Sequence, residues 1–155
     1  MKYKTKEKKA IDMARGKRAE KEFAGMYLSD PKNVVINPTE KQDCEEHWDL
    51  MINDCKVDVK AIKKNNENIH FIEFKNVQGK RGWLYGIADY FAFETNDYWI
   101  IVKGSKLKKW IHEKCKDKIY GMGVYELGSR PGARDLITKV KTIDLCYIGK
   151  IKKKV

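Results

Sequence analysis

Apolar and polar residues alternate most regularly between His47 and Lys75. Trp48, Leu50 and Ile52 fall on one side of an extended chain, with His47, Asp49 and Met51 on the other. After Asn53-Asp54 the alternation resumes, Val57, Val59 and Ala61 against Lys56, Asp58 and Lys60. A period of two marks half-buried strands. A two-residue break of Asn and Asp, which tolerate positive φ, marks a hairpin between them. That turn sets Asp49 opposite Asp58 and His47 opposite Lys60. Opposed side chains have Cβ atoms roughly 4.5–5.5 Å apart, so two carboxylates placed there repel unless a cation lies between them. A third strand is predicted over Ile69–Asn76 beyond the polar turn KKNNEN, with Ile72 and Phe74 facing one way and Phe71, Glu73 and Lys75 the other.

Before this region a 3.6-residue period predicts a helix from Ala10 to Leu28, closed by Ser29-Asp30-Pro31. Its apolar face collects Met13, Ala19, Phe23, Ala24, Met26 and Tyr27, with Gly16 inside it. Glu20 sits near the middle of that face and Glu22 toward its edge. An unpaired acid in a buried stripe is costly, so Glu20 is a site candidate and Glu22 a solvated residue. Val34–Ile36 is a short apolar run, followed by a loop through Pro38 and TEKQDCEE. The glycine-punctuated NVQGKRGWLYG reads as a loop or short helix. Ala88–Glu94 and Asp97–Val102 read as strands joined at Thr95-Asn96, and residues 106–115 as an amphipathic helix with Leu107, Trp110 and Ile111 inward. The tail reads as a strand from Ile119, the loop GSRPGARD, and strands around Leu136–Ile143 and Cys146–Ile151. This order predicts an α/β (α+β) fold, a mixed central β-sheet with flanking helices. Residues 1–9 are expected to be a basic flexible arm and residues 10–155 a single domain.

Charge narrows the function. The 155 residues carry 33 Lys+Arg against 22 Asp+Glu, a net charge of +11. Such a surplus favours a polyanionic partner, although a lysine-rich surface can also be merely solvated. No run of 18 apolar residues is present, and the N-terminus is charged with no apolar segment behind it, so neither a membrane span nor a secretory signal is expected. Four widely spaced cysteines show no disulfide framework, which points to free thiols and a reducing, cytoplasmic setting. Cys44-x-x-His47 and His112-x-x-Cys115 carry zinc-ligand spacing, but unrelated half-buried residues explain them more simply.

Metal-assisted phosphodiester hydrolysis needs two or three carboxylates to hold one or two Mg²⁺ ions, and a cation near the attacked phosphate. Asp49, Asp58 and Lys60 supply these on adjacent strands, and Glu20 on the helix can complete the set. These residues resemble the PD-(D/E)xK signature of the restriction-endonuclease-like nucleases: Asp49 stands nine positions before Asp58-Val59-Lys60. Gly16-x-x-x-Glu20 resembles the acidic helix of that superfamily, WDLMIND with VDVKAIKK its strand pair, and Ala88-Asp89-Tyr90-Phe91 with YWIIV its later element. The resemblance spans roughly residues 10–112. It implies an αβββαβ core with extra C-terminal strands, Mg²⁺ (with Mn²⁺ as substitute), a DNA substrate and 5′-phosphate products. It makes Asp49, Asp58 and Glu20 metal ligands and Lys60 the residue that orients water and offsets charge. Among small members it points to phage and Holliday-junction-resolvase-like enzymes of DNA recombination, structure-selective for branched DNA and possible as homodimers.

Trp48 stands where the motif has proline, and a second frame exists, Asp58 followed after fifteen residues by Glu73-Phe74-Lys75. The first frame is favoured by the hairpin register. If the second and third strands pair, both frames share one face. Lys75, Lys80, Arg81 and Trp83 form a basic-aromatic loop suited to phosphates and unstacked bases. Arg130 and Arg134 in GSRPGARD are further candidate backbone contacts. The alternative is a non-catalytic basic nucleic-acid-binding module on the same fold.

Overall fold

Thr5 opens the longest element. Its hydroxyl accepts the Lys8 amide at 3.2 Å, an N-cap that starts helix α1 (Lys6–Leu28) four residues earlier than the periodicity indicates and takes Lys6–Lys9 out of the expected arm. The computed structural model describes residues 5–63, 66–115, 117 and 119–154; the first four residues of that arm lie outside them. Ala19, Phe23 and Ala24 are buried as predicted, but Met13 is 69% exposed, because the first half of α1 projects beyond the sheet it covers.

Strands β1 (Val35–Ile36), β2 (Leu50–Ile52) and β3 (Cys55–Lys60) follow one another antiparallel. Asn53 and Asp54 both take positive φ, 48° and 68°, the geometry of a tight hairpin turn. The turn holds the predicted register, Leu50 with Val57 and Ile52 with Cys55. Then come β4 (Ile69–Lys75), a 3₁₀ turn (Trp83–Tyr85), β5 (Tyr90–Glu94), β6 (Tyr98–Lys103), α2 (Gly104–Lys114), β7 (Leu136–Lys141), α3 (Thr142–Ile148) and β8 (Lys150–Lys153). The architecture is mixed α+β. Six strands form one sheet in the order β1-β2-β3-β5-β6-β8, with only β3 and β5 parallel, while β4 and β7 form a separate two-stranded sheet.

Two expectations change here. The third strand does not continue the hairpin. β3 takes β5 as its second neighbour, Asp58 beside Phe91 and Lys60 beside Phe93, and β4 pairs with β7 instead. The tail also differs: a helix replaces the start of the strand expected over Cys146–Ile151. Thr142 and Leu145 are buried one turn apart, and this short helix carries the chain from the small sheet to the edge of the large one.

The large sheet separates two cores. On one face α1 packs Phe23 against Leu50, Val57, Val59 and Trp99. On the other, Phe91, Phe93, Ile100 and Val102 pack under Ile72, Leu107 and Leu145. Each strand contributes alternate residues to the two sides, as a pleat requires. Val57 and Val59 point to α1, so Asp58 and Lys60 point away from it.

Candidate metal and phosphate site

The site forms where β2 ends and β3 continues. Val57 is already paired with Leu50, yet its carbonyl also accepts the Asp49 amide at 2.8 Å. Two residues thus oppose one, the pattern of a β-bulge. The bulge explains why Trp48 departs from the predicted face. It lies in the core beneath Ile72 and Phe74, whereas Leu50 lies in the α1 core. It also re-aims Asp49. Past the end of β2 the Val59 amide has lost its strand partner, and Asp49 Oδ2 accepts it at 2.7 Å.

Asp49 is the centre of an acidic chain. Its negative charge bears on three other carboxyls, Asp58, Asp43 and Glu20, and pushes each of them upward. Burial and then the Asp49 charge push Glu20 upward from the usual carboxylate range, and the same two causes raise Asp43. Asp58, 3% exposed, is pushed well above that range by burial, with Asp49 adding to the shift and Lys60 opposing it.

The cations are placed in turn. Lys60 Nζ lies 2.8 Å from Asp58 Oδ1 and 4.1 Å from the centre of the Trp83 ring. Lys17 Nζ lies 3.1 Å from Glu20, and that hydrogen bond raises the lysine pKa. Glu20, Asp43 and Asp49 border an open groove of about 660 Å³ between α1 and the segment 37–49. A second groove, about 340 Å³, lies on the other side of Lys60, between the first half of α1 and β4.

Asp49, Asp58 and Lys60 are therefore together, but through the bulge and not by the direct opposition expected: the ladder ends at the Leu50–Val57 pair, short of Asp49 with Asp58 and of His47 with Lys60. Glu20 joins them only through Asp49, because it is on the α1 side of the sheet and Asp58 on the other. Asp43 and Lys17 went unrecognised in the sequence. Asp43 sits on a π-helical turn (Gln42–Glu46) that reads as a polar loop; Lys17 is one helical turn before Glu20, a spacing that does signal a pair. Glu73 does not reach the acidic chain. It faces the second groove with Lys60, and its Oε1 accepts the Trp83 amide at 3.2 Å. Lys75 is exposed and bridged to Arg81.

The other candidates divide. Trp83 is half-buried against Phe91, with Lys60 over its ring, so it positions that lysine rather than offering a free face. Arg130 is bound to the buried carboxylate of Asp135 at 2.5 Å. Arg134 is exposed, and its amide donates to the Val77 carbonyl, which brings it beside Lys80 and Arg81 in one basic rim. Of the two Cys/His pairs, the second has other partners: His112 Nε2 lies 3.0 Å from the Tyr85 hydroxyl, and burial raises the Cys115 thiol, against thiolate formation.

The donors at Asp49 are all carboxylate oxygens, the chemistry preferred by Mg²⁺ and Mn²⁺ over softer metals. Among the described residues no three His, Cys, Asp or Glu side chains form a ready coordination shell. One or two carboxylates suffice for Mg²⁺, which keeps several of its waters, so the residues fit that ion held chiefly by Asp49 and Asp58. Among the described residues no helix is long and apolar enough to cross a membrane. In comparison with known proteins, the chain matches no family model, no curated sequence and no solved structure.

Proposed function

We propose that this protein is a Mg²⁺-dependent DNA endonuclease of the PD-(D/E)xK kind, acting on branched or partly unpaired DNA. The carrying observation is that Asp49, Asp58 and Lys60 meet at one strand end, where burial and the Asp49 charge push the neighbouring carboxyls upward, a surplus of negative charge that a divalent cation would offset. Asp49 and Asp58 would hold the ion, with Glu20 and Asp43 as further carboxylates toward the α1 side. The ion supplies Lewis-acid polarisation of the phosphate and a water of lowered pKa. Lys60, set by Asp58 and by the Trp83 ring, faces the phosphate and offsets the charge that grows as water attacks phosphorus and the 3′ oxygen leaves. Lys80, Arg81 and Arg134 grip the backbone beyond the cut. Four free thiols fit a reducing cytoplasm, and paired cuts across a junction call for two copies of the chain.

The rival reading is binding without cleavage, favoured by the burial of Asp58. Four-way, flap and linear duplex DNA incubated with Mg²⁺, Mn²⁺ or chelator separate the two. Cleavage that needs the metal and is lost in Asp49→Ala supports the nuclease. Salt-sensitive binding with no cut under either metal identifies the binding module instead.

A further inference from the structure

The groove beyond Lys60 is unlike its neighbour. Where the first is acidic, this one sets Arg15, Lys60 and Lys63 against the two acids Asp12 and Glu73, around Phe71, His70 and Trp83, with Arg15 3.6 Å from Asp12. Two of the three cations rest on rings: Lys60 over Trp83 at 4.1 Å and Lys63 over Phe71 at 5.3 Å. Phe71 is only half-buried, being on the outward parity of β4. The wall also holds an unusual polar atom. His70 is 5% exposed, and its Nε2 has no hydrogen-bond partner among the described residues. Burial lowers its pKa to about 4, so the ring is neutral at pH 7.

We propose that this groove is a subsite for one unpaired nucleotide of the DNA, its base stacked on Phe71 and its phosphate held by Lys60, Lys63 and Arg15. Size sets the class of ligand. About 340 Å³ accommodates a single nucleotide, not a duplex. Chemistry sets the polarity: three cations against two acids leave the lining with a positive surplus for the phosphate, and an aromatic face accepts any base. A lysine–ring contact is weaker than base stacking, so a base can displace Lys63 from the Phe71 ring. Because Lys60 borders the groove and also contacts Asp58, a nucleotide seated here places the adjoining phosphate at the acidic chain. The inference rests on the nuclease reading for its purpose, but not for its test.

The test is binding in chelator, where cleavage cannot occur. Fluorescence anisotropy compares a labelled short oligothymidylate, the same strand with an abasic centre, and a duplex of equal length. Phe71→Ala should weaken the oligothymidylate by about tenfold while leaving the duplex unchanged. The abasic strand should bind wild type equally weakly and lose nothing further in the variant. Phe71→Leu, which keeps apolar volume, should lose the same stacking with unaltered thermal unfolding. Equal loss for single strand and duplex, or no penalty for the abasic centre, overturns the subsite. A protein that shows the selectivity but never cuts with Mg²⁺ retains the subsite and loses the nuclease reading. One that cuts with no preference for an unpaired base does the reverse.

Discussion

Asp58 and Glu94 are both buried acids on neighbouring parallel strands, 3% and 1% exposed, yet their surroundings push them in opposite directions. Burial alone would raise Glu94, but it accepts two hydrogen bonds from Arg18, one from Lys154 at 2.8 Å and one from the Ile62 amide, and these hold it at about 2. Asp58 has a single lysine and an acidic neighbour, and stays protonated well above the usual range. The comparison separates structure from chemistry. Glu94 is satisfied on every side and locks α1 and the C-terminal strand to the sheet. Asp58 is left short of positive charge, the condition that invites a cation.

The contrast breaks most sharply by mutation. Asp58→Asn should cut cleavage at least on the order of 10²-fold while leaving the melting temperature equal or higher, since it removes a buried acid whose raised pKa makes its ionised form costly to the fold. A variant that unfolds instead would falsify the view of Asp58 as a functional acid. Glu94→Gln should do the opposite, destabilising by about 3 kcal/mol in denaturant titration, because Arg18 and Lys154 lose their shared anion. Metal binding comes next. Saturating Mg²⁺ should stabilise wild type by about 2.7 kcal/mol at a hundredfold excess over Kd, read by calorimetry, and should do nothing for Asp58→Asn.

The pH dependence follows the two signs. Glu94 is depressed below its ordinary value of about 4.5, so the stability it contributes is present above that value and disappears as pH falls toward about 2. Asp58, Glu20 and Asp43 are raised, so they favour the folded state when protonated and cost stability once pH exceeds their folded pKa values. Protons and metal compete for them, and the stabilisation by Mg²⁺ should shrink as pH is lowered. An increment independent of pH would place the ion elsewhere. The smallest expected effect is at the turn. Asp54→Gly, at φ 68°, should add about 0.5 kcal/mol to stability and leave cleavage as it was; Asn53 should be kept, since its side chain accepts the Val34 amide at 2.8 Å.

Much of the site was legible in advance. The Asn53-Asp54 turn and the alternation around it fix the hairpin, and the hairpin brings Asp49 to Asp58 and puts Lys60 on the Asp58 face. The helical period identifies Glu20 as the acid facing inward. Asp43 was not legible, because it enters through a π-helical turn with no repeating pattern. Nor was Glu94, since a strand-ending glutamate reads as solvated until Arg18 and Lys154, distant in sequence, are seen to converge on it.

Local periodicity, turn chemistry and charge are properties of neighbouring residues, so the sequence by itself determined α1, the β2–β3 hairpin, the inward parity of Ile72 and Phe74, and a basic surface. Tertiary structure decided which edges meet. The pattern of β4 is the same whether it pairs with β3 or with β7, and burying both faces of the six-stranded sheet selected β7. The same demand moved Trp48 across the sheet, and the bulge that allowed the move aimed Asp49 at the Val59 amide. Two aspartates that the turn merely set opposite each other became one acidic chain because the sheet needed cores on both sides.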